Sequence, residues 1–294
     1  MEFGIGLPTA GPDASPDRLA RAAEEAERLG LAAVWTFERL LYPEEPMMLG
    51  VGPIPLPPAN VGVWDPLEVL AFAAARTSRI RLGTSVLNTL FHDPVVLAKR
   101  LATVDRLSGG RLLAGLGLGW MEQEFAATGV DTAGRGAAME AHLATMRAVW
   151  GDDPVRIGGV EAQVGPKPVR PGGPALLLGA AAPAGIARAA RLGLGLTQVL
   201  FDWDMLAAVV GQFRDAAAEA GHDPAALPVV VHVNGVVGED VPQARRMPLT
   251  GSPEQVAGEL GRLRELGVAH VFWTQPDQDA GPQLEGIGRL LKLL

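Results

Sequence analysis

The sequence predicts a (β/α)8 barrel, the TIM-barrel architecture, with insertions in the loops that follow its strands. Short apolar strands alternate with amphipathic helices along nearly all of the 294 residues. Eight such strands occur, each followed by a helix, and the composition does not change abruptly along the chain. A chain of this length is typical of an α/β barrel built as one unit. We therefore expect a single domain over residues 1–294 rather than the two halves of a doubly wound open sheet.

The individual elements follow from periodicity and capping residues. Strands are predicted at 3–7, 31–36, 80–86, 112–118, 175–178, 196–200, 229–237 and 268–273. Helix starts are marked by a capping side chain followed by proline, as at Ser15, Asp65, Asp93 and Ser252. Two segments, 42–63 and 152–174, lack periodicity, and the second has room for a small hairpin. Loops of such length in compact proteins are usually functional.

Composition excludes several classes of function. The chain contains no cysteine, which excludes disulfides, zinc–thiolate sites, iron–sulfur clusters and thiol nucleophiles. A net charge of −8 argues against nucleic acid as a partner, because phosphate binding requires a basic surface. No apolar stretch reaches the length of a membrane span, and the N-terminus has no secretory pattern. We expect a cytoplasmic protein that acts on a small molecule, away from membranes.

The working residues of a barrel belong to the carboxyl ends of its strands and to the loops after them. In this chain those positions carry few strong acids, bases or nucleophiles; Gly, Ala, Ser, Leu, Met and Trp predominate. Such a lining suits a flat aromatic cofactor better than hydrolytic chemistry, since a cofactor that carries the reaction needs only binding and orientation.

Three alternating glycines, Gly115, Gly117 and Gly119, end the fourth predicted strand. They do not match a dinucleotide-binding fingerprint, which belongs to the first strand–helix turn and needs a different spacing. Glycines in a strand indicate close approach of another backbone or of a ligand. The pattern alone leaves these two interpretations open.

Two turns have the composition of an anion site, where free backbone N–H groups meet the start of a helix. They are residues 179–183 and residues 250–252. Every strand-to-helix turn also needs small residues and a cap, and this structural interpretation is favoured for Ser252.

Glu38 and Arg39, after the second strand, are the best charged candidates at the mouth of the barrel. The alternative is an ion pair on the protein surface. None of the five histidines has metal-ligand spacing, so no metal site is predicted. His232 shares a strand face with Asn234, which leaves two interpretations: a residue that reaches the mouth, and a hydrogen-bonded core histidine. The second is favoured.

Residues 80–87, 93–99 and 101–111 resemble the luciferase-like monooxygenase superfamily. The likeness continues through 115–120, 124–125, 166–169, the turn at Gly179 and 251–256, and so covers nearly the whole chain. The most similar branch resembles the actinobacterial oxidoreductases that use the deazaflavin coenzyme F420.

This resemblance implies a cofactor site. Ser85 and Val86 match the position where the family often has a non-prolyl cis peptide that backs the flavin ring. Thr84 and Asn88 would flank that ring, and Leu118 and Met121 fall where some relatives place a proton-donating acid and an amide. Gly179, Ala180 and Ala181 match the phosphate-binding turn.

The chain also departs from the family pattern. Relatives commonly carry Asp-His where this chain has Glu38 and Arg39, and arginine does not act as a base at neutral pH. We therefore expect Glu38 to transfer protons and Arg39 to stabilise negative charge. Candidate partners for the anionic arm of a deazaflavin are Arg39, Lys167, Arg170 and Arg188.

The activity that the resemblance implies is hydride transfer between reduced F420 and a small organic substrate, with a conjugated C=C or C=N bond as acceptor. The alternatives are an FMN-dependent monooxygenase and a non-catalytic flavin-binding barrel. Relatives often form dimers, so a homodimer is one expectation. The sequence leaves the substrate open.

Overall fold

The computed structural model of the chain describes residues 1–12, 14–44, 47–49, 52–54, 56–275 and 279–294, without the side chains of 47–49 and 52–54. In this part of the chain, eight parallel strands form the barrel that the sequence predicts. The strands are β1 (Glu2–Gly6), β2 (Ala33–Thr36), β3 (Arg81–Thr84), β4 (Leu112–Gly117), β5 (Ala175–Gly179), β6 (Gly195–Val199), β7 (Val229–Asn234) and β8 (His270–Thr274).

The strands close into a cylinder. Each strand pairs with the next along the chain, and β8 returns to β1, with Glu2 opposite His270. Because every pairing is parallel, all eight carboxyl ends lie at the same end of the barrel, which we call the mouth. The loops predicted to carry the chemistry therefore converge there.

Helices surround the barrel, and most of their starts are capped as the sequence predicts. In the described residues they are α1 (Pro16–Arg28), α2 (Pro66–Arg76), α3 (Pro94–Leu107), α4 (Glu122–Thr128), α5 (Arg135–Trp150), α6 (Pro183–Arg191), α7 (Trp203–Glu219), α8 (Pro253–Glu265) and α9 (Ala280–Leu291). The side chains of Ser15, Asp65, Asp93 and Ser252 accept first-turn N–H groups. None of the described helices is long and apolar enough to cross a membrane.

The interior of the barrel is packed rather than open. Trp35 is buried in it and stacks on Phe272, with 4.7 Å between ring centroids. The indole N–H of Trp35 donates to Nε2 of His270 over 2.9 Å. Gly83 leaves room for this indole, because a Cβ there would lie 2.3 Å from the ring. These aromatic side chains therefore fill the barrel interior below the mouth, and we call this packed layer the floor.

Two predictions about the strands need correction. The predicted third strand, 80–86, stops at Thr84, and Leu87–Asn88 then pairs separately with Leu116 and Gly117 of β4. The predicted 229–237 strand ends at Asn234. In both cases apolar residues continue past the strand end, because they pack in the loops at the mouth.

The two irregular segments contain short elements. In 42–63, Met47–Leu49 pairs antiparallel with Gly52–Ile54, and a 3-10 helix covers Pro58–Gly62, so the prediction of an unstructured loop is wrong there. Positions 45–46, 50–51 and 55 of that segment lie outside the described residues. In 152–174, Val155–Ile157 and Val160–Ala162 form the expected hairpin.

Candidate functional site

The mouth brings together the residues that the sequence singled out. Glu38 and Arg39 follow β2, Ser85 to Asn88 follow β3, Leu118 and Met121 follow β4, and Gly179 to Ala181 end β5 or follow it. These positions come from four neighbouring strands. The sequence thus predicts their convergence correctly, while their individual roles in binding and catalysis stay predictions.

The backbone bends at the end of β3, where the Ser85–Val86 peptide is cis, as the resemblance implies. The hydroxyl of Thr84 donates to the carbonyl of Gly115 over 2.8 Å, tying the bend to β4. The Ser85 hydroxyl lies 3.1 Å from the hydroxyl of Thr197 on β6. The bend is therefore held from two sides.

The alternating glycines of β4 make room for this bend. A Cβ at Gly115 would lie 1.9 Å from the Thr84 carbonyl oxygen, and one at Gly117 would lie 2.5 Å from the Val86 side chain. Gly119 has a positive φ and faces the amide of Asn88. Of the two interpretations left open by the sequence, close approach of a barrel neighbour is the one these contacts support.

The predicted phosphate turn lies beside the same bend. A Cβ at Gly179 would lie 2.8 Å from the Val86 side chain, so the end of β5 and the bend after β3 are in direct proximity. Helix α6 begins at Pro183, and its N-cap, Ala182, makes no side-chain capping bond. The start of this helix therefore keeps the positive end of its dipole without a capping side chain, as an anion site requires.

The second candidate anion turn does not have that character. Ser252 and Gln255 form a complete capping box, in which the Ser252 N–H donates to Oε1 of Gln255 and the Gln255 N–H to Oγ of Ser252. The N–H of Gly251 donates to the carbonyl of Val236. The prediction of an anion site at 250–252 is wrong, and the structural interpretation favoured for Ser252 is confirmed.

Glu38 is buried at the bend, with 3% of its side chain exposed. Its backbone N–H donates to the Val86 carbonyl, and its Oε2 accepts the N–H of Asn88 over 2.6 Å. Its Oε1 lies 2.7 Å from Nε2 of His92. Both oxygens are thus engaged by the segment that follows β3.

The side chain of Arg39 contacts the loop after β4, whereas Glu38 contacts the segment after β3. Its Nη1 lies 2.9 Å from Oε2 of Glu124, with 9% and 5% of the two side chains exposed. The guanidinium also lies over the Trp120 ring, 5.0 Å from its centroid, and contacts the sulfur of Met121. The alternative of an exposed Glu38–Arg39 pair is wrong, because Glu38 pairs with His92 and Arg39 pairs with Glu124.

Met121 and Leu118 differ in access. Met121 is fully buried behind Arg39, whereas Leu118 is partly exposed at the end of β4. A contact between Met121 and a cofactor stays a prediction, and it would require Arg39 to move.

Several buried polar atoms at the mouth have no hydrogen-bond partner among the described residues. They include Oγ1 of Thr36, Nδ2 of Asn88 and Nε of Arg39. An unpaired buried polar group costs about 1–3 kcal/mol, so such groups indicate a missing partner. A planar heterocycle with carbonyl and N–H groups along its edge has the acceptors and donors that would complete them. The residues at the bend therefore fit a flavin-type ring.

The favoured prediction of a hydrogen-bonded core histidine at His232 is wrong, because the residue is partly exposed near the carboxyl end of β7. Its ring stacks on Phe272 at 4.6 Å, and its buried Nε2 has no partner among the described residues. Burial lowers the pKa of His232 to about 4, so the ring is neutral at pH 7.

Two of the cations expected near the anionic arm lie at the other end of the barrel. Lys167 binds Asp153 and the Val149 carbonyl at the end of α5, and Arg170 precedes the start of β5. Both predictions are wrong, because these residues come before a strand rather than after one. Arg188, on α6, pairs with Glu140 of α5 and is mostly buried.

Sequence reasoning did not identify His92 or Glu124 as parts of the mouth. His92 lies 54 residues beyond Glu38, and Glu124 lies 84 residues beyond Leu40, whose N–H it accepts. Neither pair forms a local motif. The available signals were the position of His92 in the loop after β3 and the place of Glu124 in the run that resembles the family.

Comparisons with known proteins agree with this geometry. The model of the luciferase-like monooxygenase family matches residues 1–249. A Mycobacterium tuberculosis protein described as uncharacterized is 32% identical over 99% of this chain and 97% of its own length. An F420-dependent hydroxymycolic acid dehydrogenase of that organism is 28% identical over 84% of this chain and 66% of its own. The crystal structure of a Streptomyces bottropensis monooxygenase matches with a TM-score of 0.80 and 25% identity, covering 100% of this chain and 99% of its own.

Proposed function

Since the chain belongs to the luciferase-like monooxygenase family, we propose that it is an oxidoreductase that uses coenzyme F420 to transfer hydride to or from a small organic substrate. The acceptor that suits this chemistry is a conjugated C=C or C=N bond. One observation carries the proposal: Val86 lies against both Gly117 and Gly179, so the proposed ring site and the proposed phosphate turn adjoin.

The residues at the mouth divide into two groups for holding the cofactor. Those at the bend and after β4 would contact the ring: Thr84, Ser85, Val86, Asn88, Leu118 and Met121. Those at the end of β5 would bind the phosphate of the arm through backbone N–H groups: Gly179, Ala180 and Ala181. When bound, the deazaflavin supplies or accepts the hydride.

The chain's own side chains orient the substrate and handle charge. Glu38 would serve proton transfer at the bend through its 2.7 Å contact with Nε2 of His92. Arg39 already has its charge balanced by Glu124, but its Nε has no partner among the described residues, and the guanidinium would stabilise an anionic group of the cofactor or substrate. Orientation of this kind accounts for much of the rate gain in such reactions.

The choice of F420 is supported by the name of the M. tuberculosis dehydrogenase, which aligns with most of this chain. An FMN-dependent monooxygenase is the second candidate, because the S. bottropensis structure that matches the whole chain is a monooxygenase. The two candidate functions would use the same binding site at the mouth and differ in the cofactor ring that occupies it.

Fluorescence titration of the purified chain with F420 and with FMN tests the proposal. We expect saturable quenching by F420 at concentrations where FMN gives none. Gly179→Val should abolish the quenching, because its Cβ would lie 2.8 Å from the Val86 side chain. Gly211→Ala is the matched control, since nothing lies within 4 Å of a Cβ there. Tight FMN binding with oxygen uptake would contradict the choice of F420.

A further inference from the structure

Glu38 and His92 form a carboxylate–imidazole pair at the bend. The Oε1–Nε2 distance is 2.7 Å, and 3% and 14% of the two side chains are exposed. The second oxygen of Glu38 accepts the Asn88 N–H, and the Glu38 N–H donates to the Val86 carbonyl. The pair is therefore fixed by backbone contacts to the segment proposed to hold the ring.

The contacts of Glu38 also set the tautomer of His92. An ionised carboxylate only accepts hydrogen bonds, so Nε2 of His92 must carry the hydrogen that it donates. In the neutral ring, Nδ1 then keeps its lone pair. Nδ1 has no hydrogen-bond partner among the described residues, and the side chain is partly exposed. His92 thus presents a basic nitrogen whose orientation is held from the opposite side of the ring.

No other described acid or base at the mouth offers the same combination. Arg39 is bound to Glu124, and both oxygens of Glu124 are engaged, one by Arg39 and one by the Leu40 N–H. His232 is also a fixed ring, stacked on Phe272, but no described carboxylate contacts it, and its Nε2 is buried without a partner. Among these groups, His92 is the one that combines a ring held by a carboxylate with a nitrogen left for a ligand.

We propose that His92 is the side chain that exchanges a proton with the substrate through Nδ1, with Glu38 as its positioning residue. This inference rests on the proposed function. In the reductive direction, a C=C or C=N bond takes up one hydride from reduced deazaflavin and one proton from Nδ1–H of the His92 imidazolium. The ring returns to its neutral Nε2–H form and recovers the proton from water. Glu38 stabilises the charged ring, as a buried carboxylate does for a catalytic histidine.

The tautomer is measured directly on the cofactor-free protein. Nitrogen-15 NMR of histidine-labelled protein should show one ring with a protonated Nε2 and a bare Nδ1 at neutral or mildly alkaline pH. That signal should vanish in His92→Gln, and its Nε2 proton should move upfield in Glu38→Gln. A protonated Nδ1 with a bare Nε2 at His92 would overturn the proposal.

The proton-transfer role is measured with reduced F420 and the conjugated enone 2-cyclohexen-1-one as probe. His92→Ala should lower kcat about 100-fold or more, the range for loss of a general acid, and added imidazole should restore part of it. Glu38→Gln should lower kcat with little change in KM. His142→Ala is the control, because that ring bonds to a carbonyl within α5.

A measurement of F420 affinity distinguishes a failure of the proposed function from a failure of the proposal for His92. Failure of the wild-type protein to quench F420 fluorescence would contradict the proposed function and leave the tautomer result standing. Normal F420 affinity in His92→Ala together with undiminished turnover would overturn the role of His92. A loss of turnover that imidazole does not restore would also overturn it, because that result indicates a structural role.

Discussion

Arg39 and Glu124 illustrate how a residue at the mouth depends on a partner far away in the sequence. Both side chains are almost fully buried, and the 2.9 Å contact joins the loop after β2 to helix α4. Removing one partner of a buried pair leaves an uncompensated charge, which is strongly destabilising, whereas removing both costs less. The pair therefore fixes the loop that also carries Glu38.

Glu124→Gln should lower the free energy of unfolding by about 3–5 kcal/mol, measured by urea denaturation. Arg39→Met combined with Glu124→Gln should recover part of that loss. Glu24→Gln, which breaks the exposed Glu24–Arg76 pair, is the control and should cost less than about 1 kcal/mol. Strict additivity of the two single changes at the mouth would contradict a coupled buried pair.

Gly115 sets how closely β4 approaches the bend. In Gly115→Ala the new Cβ would meet the Thr84 carbonyl oxygen at 1.9 Å, and a backbone atom cannot rotate away. We expect a loss of about 3 kcal/mol, at the upper end for overpacking, in thermal or urea unfolding. Gly258→Ala, on an open face of α8, should instead gain up to about 1 kcal/mol. Equal stability of the two variants would contradict this account of the glycines.

Prediction from the sequence placed the candidate residues at the mouth correctly, but it did not identify their hydrogen-bond and ion-pair partners. Gly179 and the Ser85–Val86 bend could be located because strand ends and family motifs are local patterns. His92 and Glu124 could not, because their partners depend on how loops of different strands meet. The same reason explains the wrong predictions for Lys167 and Arg170. Their positive charge suits an anion, but they lie at the end of the barrel opposite the mouth.

At the scale of elements, Glu27 joins helix α1 to the turn that leads into β3. Its carboxylate accepts the N–H groups of Ser78, Arg79 and Ile80. Burial raises the pKa of Glu27, but these backbone hydrogen bonds together outweigh it and lower the pKa to about 2. These hydrogen bonds therefore contribute their full stabilisation only at a pH where Glu27 is ionised in both the folded and the unfolded protein.

Glu27→Gln should lower the free energy of unfolding by about 1.5–3 kcal/mol at pH 7, the range for hydrogen bonds to a charged group. Because the folded pKa lies below the unfolded value of 4.5, the gap should be full above pH 4.5 and shrink as pH falls toward 2. Urea denaturation at several pH values measures it. A gap that does not change with pH would indicate that the charge of Glu27 is unimportant.

Elements were predicted more reliably than their ends. Short apolar runs located all eight strands, because each strand of a parallel barrel must be buried on both faces, and helical periodicity located the helices between them. The boundaries after β3 and β7 were wrong, since apolar residues that pack in loops look the same as strand residues in the sequence. The antiparallel pairing of Met47–Leu49 with Gly52–Ile54 was missed, because that part of the sequence has no alternating pattern.

At the scale of the whole molecule, the barrel has a packed aromatic floor and a polar mouth. The floor contains two histidines, His232 and His270, whose pKa values burial lowers. Both are neutral in the folded protein at pH 7. The unfolded chain binds these protons near the ordinary value of 6.5, so protonation favours unfolding.

The stability of the whole barrel should therefore fall as pH decreases from 6.5 toward 4. His232 contributes at most about 3 kcal/mol of this fall, since its pKa of about 4 lies 2–3 units below the ordinary value. His232→Gln should flatten the pH dependence of unfolding without abolishing it, because His270 remains. An unchanged slope in the variant would mean that His232 is already protonated in the folded state at pH 6.

A crystal structure determined from crystals soaked with F420 tests most directly the central claim, that the mouth of the barrel binds this cofactor. We predict electron density for the planar ring in contact with Val86 at the bend after β3. The phosphate should lie at the backbone N–H groups of Ala180 and Ala181, at the start of α6. Density for the ring at any other place on the barrel, or a mouth that F420 does not enter at saturating concentration, would contradict the account.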